Sequence, residues 1–422
     1  MDERIRIEVR ERLRRLGVRK GRLRVNTSPP SRPSSPARSS RAELPGRELV
    51  TPRGAFQLIE QTFPLNHPHG RYPLGRLLDA PLTPLQELLV PTVAPPPPVV
   101  GMAFVDTETL GLAGGTGTPA FLVGVGIVEE RGVRVRQYFL RDLHEEGAML
   151  EQLAHDLAFA RAVVTYNGRA FDLPLLQTRF LLQGIPSPFE DVGHLDLLVT
   201  SRRLWRPRIQ RCSLGDVERH ILGHTRAGTD IPGWLVPVLY RDYLRTGDPT
   251  PLEGVFYHNL HDILSLMVLA DITLRAWHDP WAEPALQPED FIARARWLLD
   301  EGRTDEGEAL LRYALNHVQN PEHRRRAYAL LTSLLKRARR WQDAVPLWEA
   351  WATESPRVDI TPYEELAKYF EWHAHDLAAA LHWTESALAA LKNADRVTQL
   401  RWQDALEHRR ERLMRRLHHR ER

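Results

Sequence analysis

Between Pro98 and about Trp277, short apolar runs alternate with segments of helical period, which is the pattern of an α/β domain. The runs at 99–105, Ala120–Val128, Val133–Leu140 and Ala162–Tyr166 read as strands. Glu129-Glu130-Arg131-Gly132 is the turn of a hairpin between the second and third. A helix is expected from Glu145 to about Ala160, and a longer one opens at Glu253. Past Pro280 the texture is helix alone, and segments beginning near Ala295, Ala329 and Leu366 recur at roughly 34 to 38 residues, the sign of stacked helix pairs. The tail Arg401–Arg422, with eight Arg against four acids, reads as a closing basic helix.

Ahead of the α/β pattern, Ile5, Val9, Leu13 and Leu16 have helical spacing, and Asn26–Ser40 is a Ser/Pro-rich linker with too little apolar surface to order itself. Residues 51–93 mix Phe56, Phe63, Tyr72 and leucines with many prolines, so irregular structure is expected there; Pro95–Pro98 form a stiff extended approach to the first strand. Four regions follow: a basic, largely disordered arm (1–50), a Pro-rich lead-in (51–98), an α/β domain (99–280) and a helical repeat domain (281–422).

Composition narrows the setting. A chain of 422 residues with 42% hydrophobic content supports two or three domains with real cores. The single cysteine, Cys212, excludes an internal disulfide and a thiolate-rich zinc site. No apolar run approaches a membrane span and the N-terminus is charged from its second residue, so a cytoplasmic protein is expected. Residues 1–47 carry fourteen Arg and Lys against five acids, about +9, in a chain whose total is +3. Such an arm favours polyanions, nucleic acid first and an anionic membrane surface second.

The chemistry concentrates at three places. Asp106 and Glu108 end the apolar strand that starts at Val99, and the period of two puts both carboxylates on one face with Thr107 pointing away. Oxygen-only ligands at the carboxyl end of a strand suit Mg²⁺ or Mn²⁺ rather than zinc. In Tyr166-Asn167-Gly168-Arg169-Ala170-Phe171-Asp172 a strand gives way to a helix, and Asp172 is either a third acid of the site or a residue favoured by the helix dipole. In the long helix His258 and Asp262 are four apart and share a face.

These pieces together resemble the DEDD exonucleases of the ribonuclease H-like superfamily, most closely the YprB-like branch. The resemblance covers roughly residues 99 to 275 and also includes His194-Leu195-Asp196-Leu197-Leu198 and Asp230-Ile231-Pro232-Gly233. It implies a mixed sheet flanked by helices, with Asp106, Glu108, Asp172 and Asp262 converging as the acids of a two-metal site loaded with Mg²⁺ or Mn²⁺. It implies, too, a 3′-5′ exonuclease. Phosphodiester hydrolysis needs an activated water and a neutralised leaving oxygen, and two divalent ions about 4 Å apart supply both. His258 would accept the water's proton. Better-known branches carry a His five residues before the last acid, where Tyr257 stands here, or a Tyr four before it, where His258 stands, so the base is open between the two. The other reading of the chain is a non-catalytic nucleic-acid-binding scaffold that keeps the fold. The C-terminal helices resemble tetratricopeptide repeats, which implies a surface for a protein partner or nucleic acid; the alternative is a helical bundle that only braces the α/β domain.

Other features carry less. Gly114-Gly115-Thr116-Gly117-Thr118 lacks the Lys-Ser/Thr ending of a phosphate loop. His220 and His224 have helical ligand spacing without a Cys or Glu to complete a zinc set, which favours capping or solvated histidines. Asp196 is either a fifth carboxylate of the site or structural. Trp205 among Arg202, Arg203, Arg206, Arg208 and Arg211 suits stacking and phosphate contact on a single strand, or a plain solvated face.

Overall fold

The computed structural model describes residues 43–111, 118–226, 230–354 and 358–420. Strands β1 (Arg47–Thr51), β2 (Gly54–Pro64), β5 (Met102–Thr109), β6 (Ala120–Glu129), β7 (Gly132–Phe139), β8 (Ala162–Thr165) and β9 (Gly193–Asp196) form one sheet, ordered β1-β2-β7-β6-β5-β8-β9. Neighbours are antiparallel from β1 to β5, and β8 and β9 add in parallel. A separate ribbon pairs β3 (Pro68–His69) with β4 (Tyr72–Pro73).

Helices cover both faces. α1 (Glu146–Leu157), α2 (Asp172–Gln183) and α4 (Val236–Thr246) share a core with Ala103 and Val105 of β5. α3 (Leu197–Ile209) and α5 (Glu253–His278) share the opposite core with Met102 and Phe104. The alternation along β5 therefore sends its even positions toward α5, and Asp106 and Glu108 continue that face beyond the apolar run. α5 sits unusually close to the sheet. A Cβ on Gly124 of β6 would lie 2.4 Å from the Asn259 side chain, and one on Gly126 2.4 Å from Met267.

The core strands agree with the sequence reading, whereas the region before them does not. Residues 47–64, expected as arm and irregular lead-in, are the β1–β2 hairpin. β2 pairs with β7 along eight residues. Val99–Gly101 is a single 3₁₀ turn, so β5 starts at Met102, not directly after the prolines. The expected N-terminal helix and Ser/Pro linker, and most of the Gly-rich run after β5, lie outside the described residues.

From Pro288 the chain is all helix: α6 (Pro288–Asp300), α7 (Thr304–His317), α8 (Pro321–Arg337), α9 (Trp341–Glu354), α10 (Thr361–Trp372), α11 (Leu377–Leu391) and α12 (Arg396–Arg420). Each packs on its chain neighbour, and α6 packs on α3. That junction is polar as well as apolar. Asp290, 1% exposed, accepts from Arg208 Nε at 3.1 Å and lies 2.8 Å from Arg208 Nη2, and Arg203 lies 3.6 Å above the Trp297 ring. No described helix is long and apolar enough to cross a membrane.

Candidate metal centre

The acids anticipated from sequence lie around the carboxyl end of β5, close enough for Asp262, Glu108 and Asp172 to act electrostatically on Asp106. Asp106 accepts from Asn259 Nδ2 at 2.8 Å, and the Asn259 carbonyl in turn accepts from Gln137 at 3.0 Å, so a fully buried amide ties β5 to α5 and β7. Asp172 opens α2 and accepts from Thr107 Oγ1 at 2.5 Å; the residue between the two β5 acids thereby holds the third. One turn of helix separates His258 from Asp262, and His258 Nε2 lies 3.6 Å from Asp262 Oδ2 and 3.9 Å from Glu108 Oε1.

Two groups that sequence spacing did not reveal shape the cluster. Asp230 lies 2.8 Å from His258 Nδ1, closer than Arg226 Nη1 at 3.1 Å. With the carboxylate as the nearer partner, Nδ1 carries the hydrogen and a neutral ring turns the Nε2 lone pair toward Glu108 and Asp262. Arg226 spans Asp262 and Glu218, donating to the first through Nη2 and to the second at 2.5 and 2.9 Å. These partners are 36 and 8 residues away, and no periodic pattern signals such a link.

Burial and mutual repulsion set the protonation of the cluster. Asp106 is held well above the usual carboxylate range by burial first and then by Asp262, Glu108 and Asp172, against the Asn259 bond. Glu108 is pushed up to about 8, chiefly by burial, with His258 opposing and Asp262 and Asp172 adding to the rise. Burial lifts Asp172 to about 6 against its bond from Thr107. For His258, burial favours the neutral ring, yet Asp262, Glu108 and the Asp230 bond outweigh it and raise the pKa. The donor chemistry fits a divalent cation: crowded carboxyl groups whose raised pKa values reflect burial and a mutual repulsion that a cation would relieve, and ligand atoms of Glu108, His258 and Asp262 within 4.8 Å of one another.

A model of the RNase_H superfamily matches residues 103–274. The chain is also 34% identical over 337 residues to the uncharacterized protein YprB of Bacillus subtilis (strain 168), a span of 78% of this chain and 79% of that protein. The chain belongs to the YprB family. Among solved structures, the family B DNA polymerase from the hyperthermophilic archaeon Pyrobaculum calidifontis aligns at a TM-score of 0.33 and 18% identity, covering 56% of this chain. The chain spans 29% of that polymerase.

In this YprB-family chain the remaining sequence candidates separate. Tyr257 packs its ring against His261, centroids 4.1 Å apart. Asp196 accepts from the backbone N–H groups of Asn167, Arg169 and Leu198, a structural cap between β9 and α3. Trp205 is fully buried, which removes it as a stacking platform. His220 is exposed and bonded to the Asp216 carbonyl, while His224 joins His69 and His261, so 220 and 224 do not share a site.

The aromatic that does meet the basic stretch is Trp297, beneath Arg203. It lines a groove of about 1110 Å³ where α3, α6 and α8 meet. Arg202, Arg206 and Arg296 line it with no carboxylate partner among the described residues. A smaller cleft shares Arg203 and Trp297 and reaches Arg169, three residues before Asp172.

Proposed function

We propose that this protein is a metal-dependent nuclease, a 3′-5′ exonuclease hydrolysing phosphodiester bonds of DNA or RNA. The observation that carries the reading is the convergence of Asp106, Glu108, Asp172, Asp262 and His258 from β5, α2 and α5 at one buried, electron-rich point. Asp106, Glu108, Asp172 and Asp262 would hold two Mg²⁺ or Mn²⁺ ions, which supply a nucleophilic water at neutral pH and charge neutralisation at the leaving oxygen.

The protein's own groups do the positioning. Asn259 and Thr107 orient Asp106 and Asp172 by donating to them. His258 Nε2, aimed at Glu108 and Asp262 by Asp230, accepts the proton of the attacking water. The groove with Arg202, Arg206 and Arg296 offers cations for phosphate, and in this reading a single strand follows it. Regions 99–280 and 281–422 act in this reading as the catalytic domain and a tetratricopeptide-like surface for substrate or a protein partner.

The test is cleavage of 5′-labelled single- and double-stranded DNA and RNA with Mg²⁺ or Mn²⁺. A ladder shortening from the 3′ end is expected from the wild type and no cleavage from a folded Asp172→Ala variant. Cleavage by that variant at the wild-type rate overturns the reading, and binding without cleavage under either metal points to the scaffold.

A further inference from the structure

Beside the acid cluster lies a second group of potential ligands with different chemistry. His69 from β3, His224 from the turn after Glu218–Leu222, and His261 from α5 bring ring nitrogens within 4.8 Å of one another. We propose that these three histidines hold a zinc-class divalent transition-metal ion, separate from the carboxylate site, which pins the β3–β4 ribbon to α5.

The residue types suit that ion and not Mg²⁺. Imidazole nitrogens are the ligands of zinc-class metals, whereas Mg²⁺ takes oxygen. At a zinc–nitrogen bond of 2.0–2.1 Å, two tetrahedral ligands stand about 3.3 Å apart. His224 Nε2 and His261 Nδ1 are 3.2 Å apart. For both nitrogens to offer lone pairs to one ion, the ring that donates this hydrogen bond carries its hydrogen on its other nitrogen instead, and both rings stay neutral.

His69 is prepared by its neighbours. Ser265 Oγ donates to Glu218 Oε1, so it accepts from His69 Nε2–H at 2.7 Å. That bond fixes the tautomer and leaves the Nδ1 lone pair for a metal, in the manner of a carboxylate-backed ligand histidine. The ring lies face-on to His224 at 4.0 Å between centroids, and coordination swings it edge-on about its Ser265 bond.

The local backbone is built for this approach. Gly70 has φ +67°, and a Cβ there would stand 2.3 Å from the Leu222 carbonyl. Arg71 N bonds that same carbonyl at 2.8 Å. A glycine therefore lets the ribbon lie against the turn that carries His224. Three protein ligands leave a fourth position for water.

The full-length protein is dialysed against Zn²⁺ in excess Mg²⁺, and bound zinc is measured per chain. The wild type is expected to retain one Zn²⁺, as is Asp106→Asn, while His224→Gln and His261→Gln lose it. Co²⁺ on the wild type is expected to give the visible absorption of a tetrahedral nitrogen-rich site, a readout that needs no substitution. Zinc lost in Asp106→Asn but kept in both histidine variants, no retained zinc, or an octahedral Co²⁺ spectrum overturns the proposal. Each outcome is independent of whether the protein cleaves nucleic acid.

Discussion

Gly124→Ala is the substitution that tests how the acid cluster is held. The added Cβ would stand 2.4, 2.8 and 2.9 Å from Oδ1, Nδ2 and Cγ of Asn259, whose amide must retreat by about 1 Å to restore ordinary contact. That retreat carries Asn259 Nδ2 off Asp106, now 2.8 Å away, and its carbonyl off Gln137, now 3.0 Å away. Asn259 is fully buried, so no water replaces the lost partners. Overpacking costs about 1–3 kcal/mol and an unsatisfied buried polar group about 1–3 more, while the lower entropy of the unfolded chain returns about 0.4–1. The expected net loss is about 1–6 kcal/mol, read as a lower urea midpoint, and cleavage falls with it because Asp106 loses its donor. Gly215→Ala is the control: no atom stands within 4 Å of its Cβ. In the double variant with Asn259→Ala the clash is gone and part of the loss should return, a coupling that a double-mutant cycle measures. A Gly124→Ala protein within about 0.5 kcal/mol of wild type refutes the reasoning, since α5 would then have room to move.

Reversing the groove charges in Arg202→Glu/Arg206→Glu/Arg296→Glu should weaken binding of single-stranded oligonucleotides and flatten its salt dependence by about two to three counterions, measured by anisotropy across a salt series. An unchanged slope means the strand runs elsewhere. His258→Ala should lower turnover roughly 10²–10⁴-fold and Tyr257→Phe much less. Because the base must be neutral and Asp262 and Glu108 raise the His258 pKa despite burial, turnover should climb as pH rises through that raised value; a flat pH profile, or a crippled Tyr257→Phe beside a silent His258→Ala, moves the base off His258.

The sheet centre was legible because β5, β6 and β8 are buried on both faces and written as nearly continuous apolar runs, while β7 alternates Val133 and Val135 with Arg134 and Arg136. β1 and β2 were not. β1 is an edge strand with mostly exposed residues, and β2 is buried at Phe56–Ile59 but exposed beyond, so prolines at 52 and 64 dominate its pattern. Asp106, Glu108, His258 and Asp262 announced themselves through periods of two and four, which are local. Asp230 meets His258 across 28 residues, Arg226 meets Asp262 across 36 and His224 meets His261 across 37, separations at which spacing holds no information. Trp205 shows the opposite error. Its period with Leu198, Ser201 and Leu204, all buried, argues for the core, and only its adjacency to arginines suggested a surface.

Helix α5 explains why two chemically different clusters lie side by side. It is buried nearly all round, a setting that normally demands apolar side chains, yet it carries His258, Asn259, His261, Asp262 and Ser265 in its first half. At 100° per residue these polar positions form two stripes, His258 with Asp262 toward β5 and His261 with Ser265 toward the β3–β4 ribbon, about 60° apart. The Arg226–Glu218 ion pair stands between them. Its cation bonds Asp262 and lends positive charge to the acid side; its anion accepts from Ser265, which in turn holds His69. Arg226 also disfavours protonation of His69, His224 and His261. One ion pair thus supplies each cluster with the charge it needs: a cation where carboxylates crowd, and an anion that fixes a hydrogen bond where imidazoles must stay neutral. Buried pairs are poor sources of net stability, so this one is better understood as the partition that keeps acid and imidazole chemistry distinct along a single helix.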